Sequence, residues 1–376
     1  MAVYIYQLTQ WPHFEWDSER LATSLGKLRY QHGKLLGRME SLGFSLRQEA
    51  SLENLTLDVV KSSEIEGERL SAAQVRSSIG LRLGIDVGGV VPADRNVEGI
   101  VEVMMDATQH YKQPLTRERI FGWHAALFPM GYSGKDKITV GAWRTDKMQV
   151  VSGPEGRKIV HFEALGPEVL EQEMEKFLEW LNGQPATDPV IKAAIAHFWF
   201  VTIHPFDDGN GRIARAIADR QLVWADETPQ RFYSMSAQIH KEKDAYYKIL
   251  EETQKGTIDI TEWLEWFLGC LGRALANTSE TLAAVLAKKA WWDQHSGREL
   301  NERQLKMINK MLDDFKGKMT SSKWASLTKT SHDTALRDIQ DLVVKGVLVR
   351  EASGGRSTSY VLEGTTAVLT GISNSN

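Results

Sequence analysis

In block after block of this sequence apolar residues return every third or fourth position, a period that suits an α-helix and no strand. The blocks run over residues 17–40, 46–66, 72–83, 96–111, 116–127, 168–182, 189–203, 210–224, 241–254 and 260–287. Gly43 reads as a stop between the first two, and the Gly-rich loop 84–89, closed by Pro92, reads as a boundary before a central domain. One stretch breaks the pattern. Residues 138–162 are rich in Val, Ile and Thr, are punctuated by Ser152-Gly-Pro-Glu-Gly156, and predict a β-hairpin. Residues 4–16 are dense in aromatics and broken by Pro12, which predicts an extended arm anchored by Trp11, Phe14 and Trp16. The expected fold is mainly α: an N-terminal helical region (1–95), a helical core with a hairpin (96–270), a linker helix (271–300), a small C-terminal domain (301–365) and a loose tail (366–376).

The length of 376 residues suits two or three domains, each with its own core. A composition of 42% hydrophobic and 25% charged residues excludes the disordered class. A net charge of −4 argues against a chain that coats nucleic acid along its whole length. The single cysteine, Cys270, can form neither an internal disulfide nor a thiolate zinc site, which fits a cytoplasmic protein. Residues 1–10 hold no basic run followed by an apolar one, and no apolar run reaches membrane-spanning length, so no membrane association is expected.

The chemistry lies between two helical blocks, in His204-Pro-Phe-Asp-Asp-Gly-Asn-Gly-Arg-Ile-Ala-Arg215. Pro205 breaks the first helix, and Gly209 and Gly211 let successive N–H groups, with Asn210 between them, turn toward one point at the next helix's N-terminus. Arg212 and Arg215, three apart, share a helix face and suit a multiply charged ligand such as a polyphosphate. Asp208 offers the hard oxygen that Mg²⁺ takes while bridging phosphates. His204 titrates near neutrality and can accept a hydroxyl proton. A lone histidine here would read as a helix cap, and His197, which has no such companions, reads as a packed core residue.

These residues match H-P-F-x-[D/E]-G-N-G-R-x-x-R at every fixed position, and the loop resembles the signature of the Fic family. The resemblance implies a Fic-type core that moves AMP from Mg²⁺-ATP to a Ser, Thr or Tyr hydroxyl of a target protein. It implies His204 as general base, Asp208 as the Mg²⁺ ligand, the 209–211 amides on the phosphates, and Arg212 and Arg215 on the β and γ groups. The hairpin resembles the family's flap, with Val151, Ser152 and Gly153 beside the nucleotide, and would register the target by strand addition. Tyr246, Tyr247 and Gln254 match positions that contact adenosine. Upstream, Ser62-Ser-Glu-Ile-Glu66-Gly67 resembles the inhibitory motif [S/T]-x-x-x-E-[G/N], in which the glutamate, in the last turn of its helix, takes the second signature arginine. In some relatives that glutamate also supports removal of AMP. The N-terminal segment resembles one often found ahead of Fic domains, with no activity to carry over.

The C-terminal region resembles a winged helix, with 331–345 in the recognition position and 353–356 between the wing strands. From 301 to 362 it carries 11 Lys and Arg against 7 Asp and Glu, compatible with DNA contact, although Asp333, Asp338 and Asp341 on the recognition helix oppose it. The reading is an adenylyltransferase held off by Glu66, with self-modification and a homodimer among its expected partnerships. The rivals are a relative using another nucleotide donor and a DNA-binding regulator whose loop only senses ATP.

Overall fold

The computed structural model describes residues 4–40, 44–87, 89–153, 157, 159–183, 187–312, 315, 317–351 and 358–364. Gly43, the hairpin turn 154–156, the wing segment 353–356 and the tail 366–376 lie outside these. Contacts divide the chain into two compact units, 1–83 with 91–281, and 84–90 with 282–376. The N-terminal helices therefore pack in one unit with the residues that follow Val91, and no boundary separates them near residue 95.

In the larger unit the helices are α1 (Ser18–Glu40), α2 (Phe44–Ile65), α3 (Ala72–Leu83), α4 (Arg95–Gln109) and α5 (Arg117–Leu127), then α6 (Leu170–Asn182), α7 (Pro189–Ile203), α8 (Asn210–Asp226), α9 (Met235–Lys241), α10 (Lys243–Gln254) and the start of α11 (Thr261–Gln294). Two antiparallel pairs interrupt them: β1 (Tyr132–Ser133) with β2 (Asp136–Lys137), and β3 (Gln149–Ser152) with β4 (Ile159–Glu163). No described helix is long and apolar enough to cross a membrane.

The central element is α7. Asp188 caps it by accepting from the Val190 amide at 2.8 Å, and Pro189 fits the first turn, where no N–H is needed. Its sequence is apolar nearly all round, and residues 191–203 are all buried, so it forms the middle of the core. α8 packs along it, and the loop joining the two lies at their shared end. The N-terminal arm is not extended. The Gln7 side chain accepts from the Tyr4 amide, Ile5–Gln7 closes a 3₁₀ turn, and Trp11 and Phe14 stack edge-on against Trp199, anchoring the arm to α7.

Other elements also differ from expectation. Of the described residues in 138–162 only those of β3 and β4 form strands, because the backbone around Arg144 is bonded to the loop after α7 and is not free to pair. α9 stands apart from α10, because Ser234 caps a separate helix by accepting from the Ala237 amide at 3.0 Å. α11 is one helix from Thr261 to Gln294, with no proline to stop it, so the expected core boundary at residue 270 and a separate linker helix do not appear.

The smaller unit contains α12 (Glu302–Leu312), α13 (Ser321–Thr328), α14 (His332–Val344) and an antiparallel pair, β5 (Leu348–Arg350) with β6 (Tyr360–Leu362). Thr320 and Ser331 cap α13 and α14. Trp324, Met307, Ile308, Ile339, Leu342 and Leu362 form its core. Asp338 accepts from Arg303 and Asn301 and is buried, and Asp341 accepts from Gln304 and Lys345. Of the three acids expected to oppose a polyanion, Asp338 is thus spent inside the unit, Asp341 is paired with 45% of its side chain exposed, and Asp333 is exposed.

Candidate active site

The loop from His204 to Gly209 is fixed by three internal devices. The Asn210 side chain accepts from the Phe206 amide at 3.0 Å and donates to the Phe206 carbonyl at 2.8 Å, so one buried amide closes the turn. Arg144, 2% exposed, donates from Nε to the His204 carbonyl at 2.8 Å, while its amide donates to the Pro205 carbonyl at 2.9 Å. Its other guanidinium nitrogens reach the carbonyls of Asp146 and Leu165, tying the loop to the base of the β3–β4 hairpin. His124 stacks on Phe206 at 4.0 Å between ring centres, and Phe206 is fully buried. The Gly141 amide donates to His124 Nδ1 at 3.2 Å, so Nε2 carries the proton and donates to the Asp208 carbonyl at 3.2 Å. Burial pushes His124 down to about 4, which keeps it neutral.

His204 ends α7 in the left-handed region, at φ 53°. That conformation costs energy for a residue with a Cβ and persists here because both neighbouring carbonyls are bound by Arg144. His204 Nδ1 lies 3.2 Å from the Val201 carbonyl and can only donate there, which leaves Nε2 as an acceptor. Burial pushes the ring down to about 4, so at neutral pH it is the uncharged, proton-accepting form.

Asp208 accepts from the Gly209 amide at 2.6 Å and from the Ser133 hydroxyl. Asp207 is spent on the Thr139 amide at 2.8 Å. Gly209 takes φ +81°, and a Cβ there would sit 2.8 Å from the Phe128 ring, so position and conformation both require glycine. Gly211 is bare for another reason. A Cβ on it would fall 2.2 Å from Glu66 Oε1, so the Glu66 carboxylate lies directly over the first turn of α8.

The segment 62–68 meets this turn. Glu66 lies just past the end of α2, followed by Gly67 at φ +85°. Glu66 Oε1 is 2.8 Å from Arg215 Nη2, and Ser62 accepts from the same guanidinium with its hydroxyl and its carbonyl, both at 2.8 Å. Arg212 Nη1 is 2.7 Å from Glu68 Oε2. Both arginines are buried, yet Arg212 Nε and Arg215 Nη1 have no partner among the described residues. Deeper in the same unit, buried Arg231 lies between Asp58 of α2 at 3.3 Å and Asp219 of α8 at 2.5 Å, clamping α2 to α8.

Of the residues expected near the base, Tyr247 presents its ring to solvent, 5.2 Å from that of Tyr246. Tyr246 and Gln254 are buried and spend their polar atoms internally, Tyr246 on His197 at 2.8 Å and Gln254 on Thr202 at 3.3 Å. His197 is a core residue, and burial pushes it down to about 3. Val151, Ser152 and Gly153 lie exposed at the end of β3, where Ser152 Oγ is 2.6 Å from His161 Nε2 and His161 Nδ1 is 2.7 Å from Glu251. Arg144, His124, Ser133 and Glu68 were not singled out from sequence. Their partners lie far away in the chain, and no local pattern marks them.

Residues 114–222 match the family model described as Fic/DOC family, and residues 4–85 match one described as a domain of unknown function, DUF4172. The chain is similar to Protein adenylyltransferase Fic of Drosophila ananassae, at 28% identity over 215 residues, which are 56% of this chain and 39% of that one. It spans about 40% of the length of the curated relatives it matches. Among solved structures, a Fic family protein from Desulfovibrio desulfuricans G20 shares the fold with a TM-score of 0.50 and 20% identity, over 91% of this chain and 96% of that one. A Fic domain containing signaling protein from Bacteroides thetaiotaomicron VPI-5482 does so with a TM-score of 0.51 and 21% identity, over 68% of this chain and 96% of that one. The likeness to the Fic/DOC family is carried by residues 114–222.

Proposed function

We propose that this protein transfers AMP from ATP to a hydroxyl of a target protein, and that Glu66 holds it off. The observation that carries the proposal is an anion site already filled by the protein's own carboxylate. Glu66 lies over the bare Cα of Gly211 and on Arg215, at the N-terminus of α8, where a phosphate would otherwise be stabilised. The name borne by the Drosophila ananassae relative agrees with this reading.

His204 Nε2 takes the proton of the incoming Ser, Thr or Tyr hydroxyl as its oxygen attacks the α-phosphorus. The bond from that phosphorus to the bridging oxygen breaks, and pyrophosphate leaves with the electron pair. The 209–211 amides and the two arginines hold the phosphates and spread the charge that develops on them. Asp208 suits Mg²⁺ as a single hard oxygen ligand beside a phosphate site. Among the described residues no group of three or more His, Cys, Asp or Glu is placed to hold a metal ion, so a cation here would share its shell with the nucleotide. Bound there, the ion would neutralise phosphate charge. The exposed β3–β4 hairpin suits a target docked by strand addition, with Val151, Ile159 and Val160 offering apolar surface.

Nucleotide competition tests the donor. With Glu66→Gly protein and ATP labelled at the α-phosphate, excess unlabelled ATP is expected to abolish labelling, while excess GTP, CTP or UTP leaves most of it. Equal loss with every nucleotide would show that the site reads phosphates alone, and the preference for ATP as donor would be refuted.

A further inference from the structure

We infer that Glu68 is a second brake on the same site, holding Arg212 as Glu66 holds Arg215, so that a triphosphate must displace two carboxylates. The inference rests on the reading that Arg212 and Arg215 grip the polyphosphate. Its basis is the shape of one short hook. After α2 ends, the amides of Glu66 and Glu68 both donate to the Ser63 carbonyl, at 3.1 and 3.0 Å, and Gly67 turns the chain between them in the left-handed region. The hook presents two carboxylates two residues apart to two guanidiniums three residues apart on α8. The pairs match one to one, Glu68 Oε2 to Arg212 Nη1 at 2.7 Å and Glu66 Oε1 to Arg215 Nη2 at 2.8 Å.

The arginines cannot be left bare. Their side chains are 7% and 2% exposed, and a buried cation without an anion is costly. Each also keeps a buried N–H donor without a partner, Nε on Arg212 and Nη1 on Arg215. The two glutamates therefore satisfy the arginines in part, and a ligand with more oxygens satisfies them further. Arg212 also lies over the Phe128 ring, 4.9 Å from its centre, which fixes the guanidinium where Glu68 meets it. Glu68 is 38% exposed, so solvent screens its pair, and its hold is expected to be the weaker of the two. Removing Glu66 alone takes the carboxylate from Arg215, which keeps its bonds to Ser62, and leaves Arg212 engaged by Glu68.

Equilibrium binding tests this without any transfer step. Calorimetry on full-length wild type, Glu68→Gln, Glu66→Gly and the double variant would use a β,γ-imido ATP analogue with Mg²⁺, and AMP as the control that lacks β and γ phosphates. Glu68→Gln is expected to tighten the analogue roughly three- to tenfold in both backgrounds, the size of one partly screened charge-assisted contact, and to leave AMP unchanged. Unchanged affinity for the analogue overturns the inference. Equal tightening for AMP overturns it too, because the effect would then be general electrostatics. Transfer of α-label in the same variants separates the two proposals. Tightening without label in any variant leaves Glu68 a brake on polyphosphate binding and removes the transferase reading. Label with Glu66→Gly and no effect of Glu68→Gln does the reverse.

Discussion

Asn210→Ala is expected to loosen the loop that joins α7 to α8. The Asn210 side chain, 2% exposed, satisfies both the amide and the carbonyl of Phe206, at 3.0 and 2.8 Å. Alanine leaves both backbone groups buried, and neither has another partner within reach of the rigid turn. An orphaned buried donor or acceptor costs about 1–3 kcal/mol, so the loss should come to about 2–4 kcal/mol, discounted for water entering the small gap. For a folding unit of this size that corresponds to a fall in Tm of roughly 4–12 °C. Denaturant melts of the full chain, followed by tryptophan fluorescence, give the free energy directly. Asn210→Asp provides the control: it keeps an acceptor for the Phe206 amide, loses the donor to the carbonyl and adds a charge, and should be at least as unstable at neutral pH. A loss below about 0.5 kcal/mol for Asn210→Ala, the range of ordinary surface changes, would refute the claim that this side chain closes the loop.

Three further outcomes follow from the same geometry. Since burial holds His204 down at about 4, the base is already deprotonated throughout the neutral range; kcat/KM of Glu66→Gly should stay level from about pH 8 to 6 and fall only as the pH nears 5 and below, and an acid limb near 6.5 would contradict this. Removing Glu66 also removes a negative charge that favours protonation of His204, which moves the limb further down. Ser62→Ala takes from Arg215 Nε its acceptor at 2.8 Å and should release the brake in part, raising labelling up to about tenfold but below the Glu66→Gly rate; a rate equal to wild type would show the hydroxyl to be idle. Gly209→Ala combines a positive φ with a methyl 2.8 Å from Phe128, so denaturant melts should show a loss of about 1–3 kcal/mol, and an unchanged midpoint would mean the loop can shift.

What could be read from the sequence follows the range over which each feature is encoded. His204, Asp208, Gly209, Gly211, Arg212 and Arg215 sit within one short segment because a helix N-terminus gathers them, so residue types and spacing mark that segment as a candidate site in the sequence itself. The helices were legible for the same local reason. α9 was missed because its cap, Ser234, lies in an otherwise unremarkable run, and the strands shrank to 149–152 and 159–163 because Arg144 spends the preceding backbone on the loop. His124, Arg144 and Arg231 act through partners more than 60, 20 or 170 positions away, or through several such partners at once, and only folding brings these together. Tyr246 matches a family position that contacts the base, and what the sequence does not reveal is that its hydroxyl is bonded to His197 in the core.

The central claim, an AMP transferase held off by its own glutamate, is tested most directly by label on protein. Wild type, Glu66→Gly and Glu66→Gly/His204→Ala would be incubated with Mg²⁺ and ATP labelled at either the α or the γ phosphate, with lysate as a source of targets. The expected result is α-label that is weak with wild type, strong with Glu66→Gly and absent with the double variant, and no γ-label in any of them. No α-label in any variant, or α-label that survives the loss of His204, would contradict the account.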